Sequence, residues 1–195
     1  MYNFLKAVIS LLIRIIFRIK IIGENFVPEG KAFIIAANHQ SVLDPLLVAA
    51  TMKNKPINFL AKKELFENSI LKFILKRTYV IPIDRDKADF RAMKNAIKVL
   101  KTGGILGIFP EGTRKKGPQN PKTKDGIGLF SLKGAAEIKP VSIIPYNNYR
   151  LFSRIDIVYH DIYKIPEEYA GDKKENYALI SDEVMAIIRG FENKE

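Results

Sequence analysis

The stretch DFRAMKNAIKVLKTGGILGIF, residues 89–109, decides the fold class because a helical pattern runs directly into a short apolar segment. Asp89 can cap the start of the helix, and Gly103 can end it. ILGIF is typical of a buried strand. The apolar residues before it recur at the three- and four-residue spacing of one helix face: Met93, Ala96, Ile97 and Leu100.

The same alternation of strand and helix extends on both sides of this stretch. Helical patterns occupy ELFENSILKFILKR and KENYALISDEVMAIIRGFE. Such alternation predicts an α/β fold, with a largely parallel central sheet flanked by helices. The further segments that we predict as strands are AFIIAA, INFLA, YVIPI, VSIIPY and RIDIVY.

Length and composition narrow the class of protein. A chain of 195 residues with 47% hydrophobic and 27% charged residues predicts one globular domain. The absence of cysteine excludes disulfides and an acyl-cysteine intermediate. A net charge of +11 favours anionic partners, such as anionic lipid, phosphorylated substrates or nucleic acid. Nucleic acid is disfavoured because the aromatic residues lie mostly within apolar runs, where core packing accounts for them.

Residues 1–22 predict an amphipathic helix that precedes a globular domain over residues 23–195. Its uncharged runs are too short to span a bilayer, which needs about 20 mainly apolar residues. Its cations favour a position on an anionic membrane surface, and the alternative is a helix that caps the core. Polar residues form one stripe along it: Asn3, Lys6, Ser10, Arg14 and Arg18.

The segment AANHQSVLDP, residues 36–45, contains the first candidate for chemistry. Asp44 and Pro45 suit a helix start, and Ser41 with Asp44 has the spacing of a capping box. On a helix, His39 and Asp44 would point about 140° apart, so they meet only if a turn separates them. Because Pro45 disfavours helical backbone at Asp44, the sequence predicts such a turn. A carboxylate that holds an imidazole makes it a general base.

Other readings of this region have less support. Ser41 lacks the surroundings of a nucleophilic serine, since no G-x-S-x-G pattern encloses it. A metal site is disfavoured because the chain has two histidines and no H-E-x-x-H pattern. In GIFPEGTRKKG a strand ends in a glycine turn with cations, which can bind phosphate or be an ordinary surface turn. In YVIPIDRDK another strand ends at Asp84 and Arg85.

Four segments together resemble the conserved blocks of the 1-acylglycerol-3-phosphate acyltransferase family. They occur in the family's order over roughly residues 23–145: NHQSVLD, YVIPIDR, FPEGTR and IKPVSI. The second block departs from the common pattern by having Tyr79 and Pro82 where glycine and an aromatic residue are usual. The resemblance implies transfer of a fatty acyl group from an acyl thioester to the free hydroxyl of a lysophospholipid, typically lysophosphatidate.

The resemblance also implies a role for each matching residue. His39 would be the catalytic base and Asp44 its orienting partner. Pro140 would lie near the acyl-donor site. The residues that would bind the glycerol phosphate are Arg85, Glu111, Gly112, Thr113 and Arg114.

The expected partners follow from the same resemblance. The donor would be acyl carrier protein or a coenzyme A thioester, used as a co-substrate, and no cofactor or metal is expected. The protein would lie on the cytoplasmic face of the cell membrane, in contact with anionic lipid. Three alternatives stay open: glycerol 3-phosphate as the acceptor, another lysolipid as the acceptor, or a basic module without catalytic activity that binds membrane or nucleic acid.

Overall fold

The computed structural model describes residues 1–53, 56–84, 89–112, 123–169, 171 and 173–191, with only the backbone of Ile70. The strands in these ranges are β1 (Arg18–Ile22), β2 (Phe33–Ala37), β3 (Ile57–Lys62), β4 (Ile81–Ile83), β5 (Ile105–Ile108), β6 (Glu137–Pro145) and β7 (Arg154–Tyr159). The α-helices are α1 (Tyr2–Ile16), α2 (Asp44–Thr51), α3 (Ser69–Arg77), α4 (Phe90–Lys101), α5 (Gly126–Gly134) and α6 (Lys174–Arg189). Short 3₁₀ helices cover Lys63–Phe66 and Glu167–Tyr169.

The strands form one sheet in the order β1-β7-β6-β2-β5-β3-β4. The five strands from β6 to β4 are mutually parallel. β7 runs antiparallel to β6, and β1 pairs parallel with β7 at the edge. The predicted α/β fold with a largely parallel sheet is therefore confirmed.

Alternate residues of β2 face two separate hydrophobic cores. Phe33, Ile35 and Ala37 point into the core shared with α1 and α2, and Ile34 and Ala36 point into the core shared with α4, α5 and α6. All five residues of β2 are buried, because helices cover both faces of the sheet. β2 therefore lies at the centre of the molecule, and its carboxyl end delivers the residues that follow it to a fixed position.

Helix α4 (Phe90–Lys101) begins and ends close to where the sequence predicts. The Asp89 side chain accepts a hydrogen bond from the Ala92 backbone N–H at 2.9 Å, which is the predicted N-cap. Gly103 adopts a φ of +71° just after the helix, a conformation that glycine reaches without steric cost. β5 then follows at Ile105.

Two other predicted segments differ from the structure. ELFENSILKFILKR is not one helix, because the Asn68 side chain accepts from the Leu71 backbone N–H and starts α3 anew after the first 3₁₀ helix. β6 begins at Glu137, four residues before the predicted VSIIPY segment. It is longer because β2 lies beside it from Glu137 onward and supplies backbone partners.

The predicted helix over residues 1–22 ends early. α1 stops at Ile16, and Phe17 is already extended, with φ −129° and ψ 152°. Residues 18–22 alternate between exposed and half-buried positions with a period of two, and they pair with β7. This period suits a strand, because alternate side chains of a strand point to opposite faces. Residues 18–22 therefore belong to the sheet.

Two polar side chains of α1, Lys6 and Ser10, face the neighbouring helix α2. The Lys6 ammonium donates to the Met52 carbonyl, and the Ser10 hydroxyl donates to the Ala50 carbonyl at 3.1 Å, so both bind the carboxyl end of α2. A cation is favourable there because the last carbonyls of a helix carry partial negative charge. Burial lowers the pKa of Lys6. No helix in the described ranges is both long enough and apolar enough to cross a bilayer.

Candidate active site

Asn38 fixes the backbone at the carboxyl end of β2. Its side-chain amide donates to the Ile143 carbonyl at 2.8 Å, and its side-chain oxygen accepts from the Ile143 N–H at 2.7 Å. The side chain therefore continues the pairing with β6 for one step beyond the strand. Asn38 is fully buried, so these two bonds hold the residue before His39 in place.

The chain between His39 and Asp44 forms a tight turn around the Asp44 carboxylate. Asp44 Oδ2 lies 3.0 Å from His39 Nδ1, and it also accepts the backbone N–H groups of Gln40 and Ser41, each at 2.7 Å. Asp44 is the first residue of α2 and is fully buried. The predicted meeting of His39 and Asp44 is confirmed.

The same turn contains hydrogen bonds like those of a helix cap. The Ser41 hydroxyl accepts from the Leu43 backbone N–H at 3.2 Å, while the Asp44 carboxylate accepts from the Ser41 N–H. The N-cap residue of α2 is Leu43, which has no side-chain cap hydrogen bond, and Asp44 is the first residue of the helix. The carboxylate therefore holds the turn ahead of α2 and also contacts the imidazole.

The arrangement determines which nitrogen of His39 is available as a base. Because Nδ1 faces Asp44 Oδ2, the imidazole donates its Nδ1–H to that oxygen, which leaves the lone pair on Nε2. The His39 side chain is 11% exposed, so its ring is not sealed within the core. One face of the ring stacks on Phe109, with ring centroids 4.3 Å apart. The imidazole is therefore held by a carboxylate at its edge and by an aromatic ring at its face.

The aromatic support beneath His39 depends on a glycine in β5. Phe109 stacks in turn on Phe59, with centroids 5.8 Å apart. A Cβ atom at Gly107 would lie 2.3 Å from the Phe59 ring, so only glycine leaves room for it. The glycine of the ILGIF segment thus allows the stack of three rings.

The turn after β5 contacts the backbone of His39 through Glu111. Glu111 Oε2 accepts from the His39 backbone N–H at 2.9 Å, and Glu111 Oε1 lies 3.9 Å from the Arg189 guanidinium of α6. Glu111 is 4% exposed, so its carboxylate is directed into the protein. Gly112 adopts a φ of +68°, and the Lys124 side chain covers it, with Nζ 2.9 Å from the position of a Cβ atom.

The Tyr149 hydroxyl completes the surroundings of Asp44. It donates to Asp44 Oδ1 at 2.5 Å. Tyr149 belongs to the connection between β6 and β7, which lies 105 residues from Asp44 in sequence. The two carboxylate oxygens of Asp44 therefore accept four hydrogen bonds, from one imidazole, two backbone amides and one phenol.

The structure brings together only some of the residues that the sequence predicts for the site. His39, Asp44, Glu111 and Gly112 lie at the carboxyl ends of β2 and β5. Pro140 is buried within β6 beside Ala36, and its carbonyl accepts from the His160 N–H, so it lies inside the sheet. Three further predicted residues lie outside the described ranges: Arg85, Thr113 and Arg114.

Sequence reasoning did not select several residues that surround the pair. Asn38 and Phe109 lie within the quoted segments, directly before the histidine and directly after β5, so their place at strand ends is a usable signal. Lys124, Tyr149 and Arg189 carry no local signal, because the sheet topology alone brings them near. In the described part of the chain, no cluster of three or more His, Asp or Glu residues could hold a metal ion.

A shallow depression of about 520 Å³ lies at the opposite edge of the sheet, where β2, β5 and β6 begin. Lys31 and Glu137, which line it, form an ion pair at 3.1 Å and offset each other's charge. We assign no site there, because the pair of ionisable groups with catalytic geometry follows the carboxyl end of β2.

Comparisons with known proteins show which family and which fold this chain resembles. A family model described as Acyltransferase matches residues 18–146. A 1-acyl-sn-glycerol-3-phosphate acyltransferase of Bacillus subtilis is 30% identical over 142 residues, which cover 73% of this chain and 70% of the relative. A protein of the same name from Borreliella burgdorferi is 33% identical over 134 residues, which cover 68% of this chain and 53% of the relative.

The crystal structure of the 1-acyl-sn-glycerophosphate acyltransferase PlsC from Thermotoga maritima has a similar fold. The TM-score is 0.72, and the match covers all of this chain and 82% of the other. At 21% sequence identity, this likeness supports the fold alone.

Proposed function

The chain belongs to the acyltransferase family, and we propose that it transfers a fatty acyl group from an acyl thioester to the sn-2 hydroxyl of 1-acylglycerol 3-phosphate. The product would be phosphatidate, a precursor of membrane phospholipids. The Bacillus subtilis and Borreliella burgdorferi relatives bear the name of this activity, and they support this choice of acceptor.

The observation that carries the proposal is the contact between His39 Nδ1 and Asp44 Oδ2 at 3.0 Å. It orients the ring and favours the tautomer in which Nε2 is basic. A general base is what the reaction needs, because an alcohol is a weak nucleophile until its proton is removed.

The reaction proceeds in one transfer. His39 Nε2 takes the proton from the acceptor hydroxyl as the hydroxyl oxygen attacks the thioester carbonyl carbon. A carbon–oxygen bond forms, the carbon–sulfur bond breaks, and the imidazolium returns its proton to the departing thiolate. Asp44 stabilises the imidazolium, as a buried carboxylate does in other catalytic pairs. No covalent acyl-enzyme is required.

Residues after β5 and β4 would hold the phosphate of the acceptor. The Lys124 ammonium lies beside Gly112, whose backbone N–H donates to the Phe109 carbonyl at 2.9 Å. We propose that these two residues act with Arg85, Thr113 and Arg114, which lie outside the described residues. Cations and backbone N–H groups are the usual partners of phosphate in proteins. Glu111, held by the His39 N–H and near Arg189, would orient this turn from within the protein.

The outer face of α1 would contact the lipid surface that supplies the acceptor. The exposed apolar residues of this face follow the spacing of one helical stripe, and with +11 net charge the molecule is drawn to anionic headgroups. Val42 and Leu46, beside the catalytic turn, are also exposed, at 63% and 40%. The exposed side chains of α1 are Phe4, Val8, Leu11, Leu12 and Ile15.

We propose an acyl carrier protein or a coenzyme A thioester as donor, on the cytoplasmic side, where both thioesters are made. Pro140 would contribute to the donor site as part of β6. No further cofactor is required, because the thioester bond itself supplies the driving force of the transfer.

A panel of acceptors tests the proposal. The purified protein is mixed with vesicles that contain 1-acylglycerol 3-phosphate, glycerol 3-phosphate or another lysolipid, together with acyl-CoA or the acyl carrier protein thioester. Released thiol and new lipid are measured by mass spectrometry. We expect phosphatidate from the first acceptor at the highest kcat/KM. Binding to vesicles with no thiol release from any pair of substrates would favour a basic module without catalytic activity.

A further inference from the structure

The two oxygens of the Asp44 carboxylate have different partners. Oδ2 holds His39 and the backbone amides of Gln40 and Ser41, while Oδ1 receives the Tyr149 hydroxyl at 2.5 Å. Every donor to Oδ2 comes from within five residues of Asp44. Among the described residues, the Tyr149 bond is therefore the hydrogen bond to the carboxylate that comes from a distant part of the chain.

The turn that carries Tyr149 has an unusual backbone. Asn147, Asn148 and Tyr149 all have positive φ angles, at 58°, 49° and 58°. Asparagine tolerates this conformation, but it is rare for a bulky side chain such as tyrosine. Strained backbone of this kind clusters at functional sites, where it directs a side chain to a fixed place. Here it directs the phenol onto Asp44.

Several hydrogen bonds hold the turn in this shape. The Tyr146 N–H donates to the Arg154 carbonyl at 2.9 Å, which closes the turn between β6 and β7. The Phe152 N–H donates to the Ile16 carbonyl at 2.7 Å, which ties the turn to the end of α1. The Tyr149 ring also packs against the core shared with α1 and α2. The phenol therefore approaches Asp44 from a rigid support.

We propose that Tyr149 is a positioning residue for the acyl transfer, in that its hydroxyl locks the Asp44 carboxylate and thereby fixes the orientation of the His39 imidazole. This inference rests on the proposed function of His39 as the base. Tyr149 does not contact the reacting atoms, and it acts through Asp44.

The physical reason lies in the last torsion of aspartate, which is broad and has only a weak preference. With donors on one oxygen alone, the carboxylate can rotate and tilt away from the imidazole. A donor on the second oxygen opposes that rotation.

Tyr149→Phe removes the hydroxyl and keeps the ring, so the packing of the turn is retained. We expect kcat with 1-acylglycerol 3-phosphate to fall about 10- to 100-fold, the usual worth of a hydrogen bond to a charged group. The acceptor KM should change less than about twofold, since the phosphate contacts are untouched. The matched control is Tyr146→Phe in the same turn, whose ring lies 5.1 Å from the Arg154 guanidinium. An equal kcat in the two variants would contradict the proposal.

A double-mutant cycle shows whether Tyr149 acts through Asp44. Asp44→Asn removes the charge that the phenol binds, so adding Tyr149→Phe to it should lower kcat by less than about twofold. Equal losses in both backgrounds would mean that Tyr149 acts by another route. A fall in the unfolding temperature that accounts for the lost activity would assign it a purely structural role.

The NMR signals of the His39 imidazole provide a readout that needs no turnover. The chain has two histidines, so NMR can follow both imidazoles, and His160→Gln assigns them. The titratable groups around His39 in the described ranges are Asp44, Tyr149 and Glu111, with Arg189 behind Glu111. We expect Tyr149→Phe to shift the His39 ring signals at constant pH, because the carboxylate that faces Nδ1 is then held through one oxygen alone.

His160 is the internal reference for this measurement. Burial and the nearby Lys139 lower its pKa, and it contacts Ser142 in β6, so Tyr149→Phe should leave its signals unchanged. Unchanged His39 signals would overturn the proposal even if the parent protein acylates the acceptor. Shifted His39 signals in a protein that acylates none of the acceptors would support the Tyr149 contact and contradict the proposed function.

Discussion

At the scale of single residues, Asn38 links the turn that contains His39 and Asp44 to the neighbouring strand. Its side chain satisfies both backbone polar groups of Ile143 deep inside the protein. The backbone leaves β2 at this residue, and His39 follows immediately. The position of the imidazole therefore depends on an amide that has no chemical role in the reaction.

Asn38→Ala should lower the free energy of unfolding by about 2–3 kcal/mol, because it leaves a buried N–H and a buried carbonyl without partners. Urea denaturation measures the change. Asn58→Ala is the matched control, since Asn58 is half-buried and donates one bond, to the Ile105 carbonyl at 3.0 Å, with an expected cost of about 1 kcal/mol. Equal losses in the two variants would argue against the anchoring role of Asn38.

The sequence predicts the His39–Asp44 contact because both residues lie in one short turn, where Pro45 restricts the backbone. The contacts of Tyr149 and Asn38 span 105 residues, and no local pattern reveals them. The resemblance implies that Glu111 helps to bind the glycerol phosphate, and the structure adds a contact that no local pattern reveals, from the His39 backbone N–H to the Glu111 carboxylate. Contacts within one short turn can thus be predicted from the sequence. Contacts from distant residues, such as Asn38 with Ile143 and Tyr149 with Asp44, depend on how the sheet is assembled.

At the scale of elements, periodicity predicts most strands and the helix α4 with its cap. It fails between α1 and β1, because an apolar and basic segment satisfies a helical period and a strand period at once. The choice is made by β7, whose backbone groups pair with residues 18–22. The orientation of α1 was also beyond sequence reasoning, since Lys6 and Ser10 bind carbonyls of α2 that only the fold places there.

The outer face of α1 gives a prediction at this scale. Leu11 and Ile15 are 61% and 59% exposed, so replacing both with serine should change the unfolding temperature little. Binding to anionic vesicles should weaken at least about 10-fold, because two apolar side chains no longer enter the lipid. Flotation of the protein with vesicles measures the binding.

Phe90→Ser is the control for this experiment, since Phe90 is 75% exposed on α4, which covers the face of the sheet opposite α1. Its vesicle binding should equal that of the parent protein. Unchanged binding of the Leu11→Ser, Ile15→Ser variant would show that another surface meets the membrane.

At the scale of the whole molecule, the turns that carry the candidate site residues lie at one edge of the sheet. The turn with His39 and Asp44 follows β2, the turn with Glu111 follows β5, and both strands are central and parallel. The carboxyl ends of parallel strands commonly carry the functional groups of α/β proteins. The exposed residues Val42 and Leu46 lie beside this edge, and α1 packs against α2, so the proposed lipid surface and the base share one side of the molecule.

The turnover of His39→Ala with 1-acylglycerol 3-phosphate and an acyl thioester tests the central claim most directly. Mass spectrometry of the phosphatidate formed gives kcat, and circular dichroism confirms that the variant is folded. The account predicts that kcat falls at least about 10²- to 10⁴-fold, the usual worth of a general base, with an unfolding temperature close to that of the parent protein. Parental kcat in the folded variant would contradict the claim that His39 is the base.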